Sequence, residues 1–154
     1  MKKRIMVLLC IIMAVSIPVS VYANVSLGIG TGTATFVTAR FQMDRVTSAV
    51  FNVGFGYWNE NGVYVRPQVQ FEQQNRNFRI ERQLFYPYVG IAVPMILKSN
   101  PNIGVSGVLG VSYYVGDGPI EIYLEGLPKI IIVRSGGVGL GFGLGASIGA
   151  RYSL

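Results

Sequence analysis

Between Gly136 and Leu154 the chain reads GGVGLGFGLGASIGARYSL, and its even positions are all apolar: Val138, Leu140, Phe142, Leu144, Ala146, Ile148, Ala150, Tyr152 and Leu154. The odd positions from Gly139 to Ser153 are glycine or serine except Arg151. A period of two puts all the oily side chains on one face of an extended strand. Crossing a bilayer takes about 9–11 residues of tilted strand, so this run is long enough to cross and project beyond. Gly137, Gly141, Gly145 and Gly149 also keep the four-residue spacing of tightly packed membrane helices. Gly139 and Gly143 keep only the period of two, however, and each glycine weakens a helix by roughly 1 kcal/mol, so the strand is the better reading.

The same rhythm recurs upstream. Asn24 to Phe36 is a first strand with Val25, Leu27 and Ile29 on one face and serine and glycines on the other, and Thr38 to Thr47 is expected to be an exposed loop. Ser48 to Trp58 alternates next, and Asn59-Glu60-Asn61-Gly62 reads as a tight turn. Val63 to Gln73 sets Val63, Val65, Pro67, Val69 and Phe71 against Tyr64, Arg66, Gln68, Gln70 and Glu72, with an irregularity expected at Pro67, which cannot donate to a ladder. Gln74 to Gln83 is a polar hairpin tip. Phe85 to Met95 is a strand whose two faces are both fairly apolar, so the pattern leaves its register open. Ile103 to Tyr114, Ile120 to Glu125 and Lys129 to Arg134 follow as strands, the last two separated by a turn at Gly126-Leu127-Pro128. With the final run the count is eight, and the pattern predicts an all-β fold: an eight-stranded antiparallel up-and-down transmembrane β-barrel over residues 24–154.

Alternation alone does not say which face meets a core. A soluble sandwich turns its oil inward, whereas a membrane barrel turns it toward lipid and packs polar groups inside. Composition favours the membrane sense, because 51% of the chain is hydrophobic yet no segment beyond the N-terminus is an uninterrupted apolar run of about 20 residues. Eight strands leave an interior just wide enough for side chains. The polar cluster Arg66, Gln68, Gln70, Glu72, Glu121, Tyr123, Glu125 and Arg151 is therefore expected to fill the barrel as a packed plug, occupying space left by glycines of the first and last strands. Arg66 and Arg151 are expected to pair with Glu72, Glu121 or Glu125, since buried charges need partners. Aromatic residues are expected at two belts, with Tyr57, Trp58, Tyr64 and Tyr152 near the end holding the termini and Phe36, Phe41, Phe85, Tyr86, Tyr113 and Tyr114 near the other.

The first residues modify the picture. Lys2, Lys3 and Arg4, an apolar run from Ile5 to Val15 and Val21-Tyr22-Ala23 form the n-region, h-region and cleavage site of a secretory signal peptide over residues 1–23. Cys10, the only cysteine, falls inside it, and the preceding Leu9 is too large for a lipoprotein signal. Losing three cations lowers the formal charge from +6 to +3, and no basic run remains to engage a nucleic acid. The mature part has no histidine and no cysteine, which removes His-dependent hydrolase mechanisms and metal sites built on His or Cys. No catalytic residue, cofactor or metal is expected.

Ile148, Ala150, Tyr152 and Leu154 resemble the C-terminal signal of outer-membrane barrels that the barrel-assembly machinery reads, with Leu154 where those barrels usually carry phenylalanine. The stretch from Pro119 through Glu125 and Pro128 to the Gly-Ala-Arg-Tyr end resembles small outer-membrane β-barrel domain proteins of the OmpA/OmpX-like kind. That resemblance implies an integral protein of the cell outer membrane of undefined activity; the chain is expected to be non-enzymatic, with an envelope-structural or surface-interaction role through Thr38–Thr47 and Gln74–Gln83. The lipid bilayer and the assembly machinery would be its partners. The alternative is a soluble periplasmic or secreted β-barrel that binds an apolar ligand.

Overall fold

The computed structural model describes residues 24–56, 62–73, 76–99, 101–134 and 137–154. The expected signal peptide, the turn at Asn59-Glu60-Asn61 and the aromatic pair Tyr57 and Trp58 lie outside these. The described chain is all-β: β1 (Val25–Gly32), β2 (Ala34–Gln42), β3 (Thr47–Gly56), β4 (Gly62–Glu72), β5 (Phe78–Ile80), β6 (Gln83–Ala92), β7 (Met95–Leu97), β8 (Asn102–Tyr114), β9 (Ile120–Arg134) and β10 (Gly137–Ser153), with a 3-10 turn at Val115–Asp117.

Every pairing is antiparallel. Neighbours follow chain order, and β10 returns to β1 with Ser26 opposite Ser153 and Gly32 opposite Ser147, which closes the sheet. β6 and β7 are two segments of one barrel strand, since β4 pairs with both in one register (Gln68 opposite Ala92, Val65 opposite Met95). β5 pairs only with β6, outside the ring. The result is a closed eight-stranded antiparallel barrel.

Eight is the number read from the pattern, but two of its strands differ. Asn24 to Phe36 is not one strand and Thr38 to Thr47 is not a loop: the chain reverses at Gly32-Thr33, where Gly32 has φ 146°, and β2 runs from Ala34 to Gln42. The inner face of β2 starts with Ala34 and Phe36, which look outward-facing by type, and that hid its phase. Conversely, Gly126-Leu127-Pro128 is not a turn but the middle of β9, whose ladder with β10 continues through Gly126 opposite Ala146 and Pro128 opposite Leu144. Pro67 does not bulge β4, which keeps register with β3 throughout. The break falls on the partner side, between β6 and β7, where the Val93 N–H donates to the Pro67 carbonyl at 3.0 Å.

Registers also fix the ends. Val25, Phe41, Phe71, Phe85, Tyr113 and Tyr152 lie toward the end that holds the termini, while the 32–34 turn and Gly56, Gly62 and Asn102 lie at the other. This corrects the aromatic belts. Phe41, Phe85, Tyr86, Tyr113 and Tyr114 share the terminal end with Tyr152, whereas Phe36 and Tyr64 are buried inside the barrel.

Closure is incomplete at the far end. After Gly32 the chain turns away, the Thr33 N–H donating to the Ala146 carbonyl at 3.1 Å. β10 continues to Gly137 paired with β9, and among the described residues no strand flanks its other side. Val138, Leu140, Phe142 and Leu144 are accordingly 82–88% exposed.

Candidate functional site

Cross-strand partners share a face, so inward and outward residues can be followed round the ring. The outward set runs from Leu27, Ile29 and Val37 through Val53, Val69, Ile91, Leu109 and Leu124 to Phe142 and Leu144. Among the described side chains of the eight strands it contains no Asp, Glu, Lys or Arg. The charged side chains described on those strands point inward.

Those inward charges form two centres. In the first, Glu125 of β9 accepts from Arg66 Nη2 at 2.6 Å, from Gln68 Nε2, Tyr88 Oη and Ser147 Oγ at 3.0 Å each, so donors from three strands converge on the carboxylate of a fourth. Gln70 accepts from Gln68 Nε2 at 3.2 Å. With the Asn52 amide oxygen turned toward it, Arg66 Nε donates to Asn52 at 3.0 Å. In the second centre Glu121 is held between two guanidinium groups, Arg40 Nη1 at 3.0 Å and Arg151 Nη1 at 3.5 Å. Arg40 also donates to the Tyr114 hydroxyl, and Arg151 to Thr38 Oγ1 at 3.3 Å. The Arg151 guanidinium lies 3.8 Å from the centre of the Tyr123 ring, a cation–π contact.

Of the eight residues singled out in the sequence, Arg66, Gln68, Gln70 and Glu125 meet in the first centre, and Glu121, Tyr123 and Arg151 in the second. Glu72 is half-buried at the end of β4 and forms no ion pair among the described residues. Arg40, Thr38, Asn52, Tyr88 and Ser147 were missed. The first two sat in the supposed loop, although Thr38, Arg40 and Gln42 alternate with Val37, Ala39 and Phe41, and that signal was sufficient to find them. Glycines give the bulky groups room: a Cβ on Gly30 would stand 2.6 Å from the Phe36 ring and the Tyr123 hydroxyl, and one on Gly110 2.2 Å from the Tyr88 ring. Ile148, Ala150, Tyr152 and Leu154 all lie on the outer face, and the Leu154 N–H donates to the Val25 carbonyl at 2.8 Å.

The polar packing does not fill the whole barrel. At the end away from the termini lies a cavity of about 480 Å³, its walls including Tyr64, Ile96, Leu127 and Ile131, with Arg66 and Lys129 as its cations. No group of three or more Asp or Glu stands close enough to hold a metal among the described residues.

No protein-family model and no curated protein matches the chain. Among solved structures it is similar to the N-terminal β-barrel domain of Pseudomonas aeruginosa OprF, at 10% identity and a TM-score of 0.48, over 86% of this chain and 96% of that one.

Proposed function

We propose that this protein is an integral β-barrel of a bacterial outer membrane, non-enzymatic, with an envelope-structural or surface-interaction role. The uncharged outer face carries the reading. Large apolar side chains such as Ile29 (67% exposed), Phe55 (65%), Ile91 (62%) and Leu109 (60%) ring the barrel, while Arg66, Arg151, Glu121 and Glu125 are at most 1% exposed. Water would penalise that band, and hydrocarbon would not. A soluble barrel around an apolar ligand needs the opposite orientation, and the outward residues speak against it. Both interior carboxylates are engaged by guanidinium groups, and Glu125 by amide and hydroxyl donors as well, which supports a packing role for them over an acid–base one.

On this reading the partners are the lipid bilayer and, through Ile148, Ala150, Tyr152 and Leu154, the barrel-assembly machinery. Thr38 and Arg40 face the interior, so of the expected loop Thr38–Thr47 only the short turn 43–46 lies outside the strands, at the end that holds the termini. The test is membrane fractionation with heat-modifiable migration on a denaturing gel. An arginine on the lipid face costs about 2–4 kcal/mol at the midplane. Val69→Arg and Leu144→Arg should therefore deplete the folded band from the outer-membrane fraction, and wild-type levels of both would refute the lipid-facing assignment.

A further inference from the structure

The cavity at the far end reaches the seam between β1 and β10. Its lining includes Thr33 from the β1–β2 turn, Gly145 and Ala146 from β10, and Leu144, whose side chain is 82% exposed on the outer face. An exit beside Leu144 would lie where β1 ends and β10 runs on without a second neighbour. Around 480 Å³ is within the range of small-molecule sites, roughly 300–1,000 Å³.

Two cations line the cavity. Arg66 is 0% exposed and its Nη1 has no accessible surface, so its guanidinium offers an occupant no direct contact. Lys129, on the inner face of β9 beside Gly143, is a second cation with no carboxylate in salt-bridge range among the described residues. Around these groups the walls are mostly apolar, with Thr33, Asn102 and Ser106 as neutral polar side chains.

We infer that the cavity binds a single-chain anionic amphiphile. Its acid head is held by Lys129, its first methylenes lie against Ile96, Leu127 and Ile131, and the rest of the chain leaves past Leu144. The inference rests on the bilayer reading for the direction of approach, since that exit faces the side where lipid would lie.

The test uses the purified protein folded in a nonionic maltoside detergent and a fluorescent polyunsaturated fatty acid as probe, displaced by dodecanoate, dodecyl phosphate or dodecanol. Both anions should displace it at least about tenfold more effectively than the alcohol, as one charge-assisted hydrogen bond of about 1.5–3 kcal/mol implies. The better of the two identifies the head as carboxylate or phosphate. Lys129→Gln should narrow the gap between anion and alcohol, and Ile131→Trp, which fills the cavity, should abolish binding of all three. Equal displacement by the three ligands, an unchanged gap in Lys129→Gln, or full binding by Ile131→Trp would overturn the proposal. Heat-modifiable migration reports folding independently. Folded protein that binds nothing sinks this inference alone, whereas absence from the outer-membrane fraction sinks the bilayer reading and leaves the binding result standing.

Discussion

At the residue scale the barrel depends on how two carboxylates are satisfied. Glu125 accepts four hydrogen bonds, so Glu125→Gln leaves the Arg66 guanidinium, 0% exposed, without its counter-charge. Breaking a buried pair by removing one partner costs about 3–5 kcal/mol, whereas replacing both partners by apolar groups is often neutral. Urea titration of protein folded into vesicles should show that loss for Glu125→Gln and much of it regained in Arg66→Met/Glu125→Leu. A double variant as unstable as the single one would contradict the pairing. Asp44 works differently, at the surface. Its Oδ1 accepts the Val46 and Thr47 N–H groups at 2.8 Å each, and these hold its carboxyl below the usual carboxylate value. A depressed value means the turn is supported above the unfolded-state pKa of about 3.9 and loses that support as pH falls through the folded value. Amide exchange at Val46 and Thr47 should therefore accelerate in acid in the parent and not in Asp44→Asn, which keeps an acceptor that does not titrate. Polar residues that alternate with valines, such as Arg66 and Gln68, were legible as interior from sequence. Their pairing was not, because which arginine meets which glutamate depends on strand stagger around the ring.

At the scale of elements, alternation carries phase but not boundaries. β9 contains Gly126 and Pro128, two residues that ordinarily end a strand, yet both sit on the outer face and the ladder runs past them. β2 was hidden for the opposite reason: the residue types before Thr38 did not mark the change of direction, and only the φ of Gly32 does. The two misreadings, one strand lost and one gained, cancelled in the count. The small hairpin β5–β6 has its own local signature. Ile80 pairs with Gln83 across Glu81-Arg82, and Glu81 is the one non-glycine with positive φ, 57°, among the described residues. A two-residue turn that needs positive φ at its first central position suits glycine there. A left-handed backbone costs an ordinary L-residue roughly 1–2 kcal/mol, offset in part by the greater freedom of glycine when unfolded. Glu81→Gly should thus firm the hairpin by up to about 1 kcal/mol, seen as slower proteolysis between residues 73 and 83. Faster cleavage would show that Glu81 is held by something other than turn geometry.

At the scale of the whole molecule, closure was legible, since the first and last strands share a small-residue inner face and pair from Ser26 opposite Ser153 to Gly32 opposite Ser147. The stagger that leaves part of β10 without a second neighbour was not, because it depends on β1 stopping at Gly32 while β9 and β10 run on together. On the bilayer reading, the connections predict an orientation. At the end away from the termini they comprise Thr33 alone and residues 57–61, 98–101 and 135–136, while the terminal end carries 43–46, 115–119 and the long 73–82 segment with β5. Carrying polar chain through hydrocarbon is expensive, so the end with the shorter connections is the one that crosses. The termini and the 73–82 hairpin then stay on the periplasmic side, an inversion of the common pattern of short periplasmic turns and long outer loops. Cys10, the only native cysteine, lies within the expected leader, so single introduced thiols report position cleanly. Ser99→Cys, exposed at the far end, should react with a membrane-impermeant maleimide on intact cells, and Arg82→Cys, exposed at the hairpin, only after the outer membrane is permeabilised. Labelling of Arg82→Cys but not Ser99→Cys on intact cells would reverse the orientation, put the long hairpin at the cell surface, and turn the cavity toward the inner leaflet.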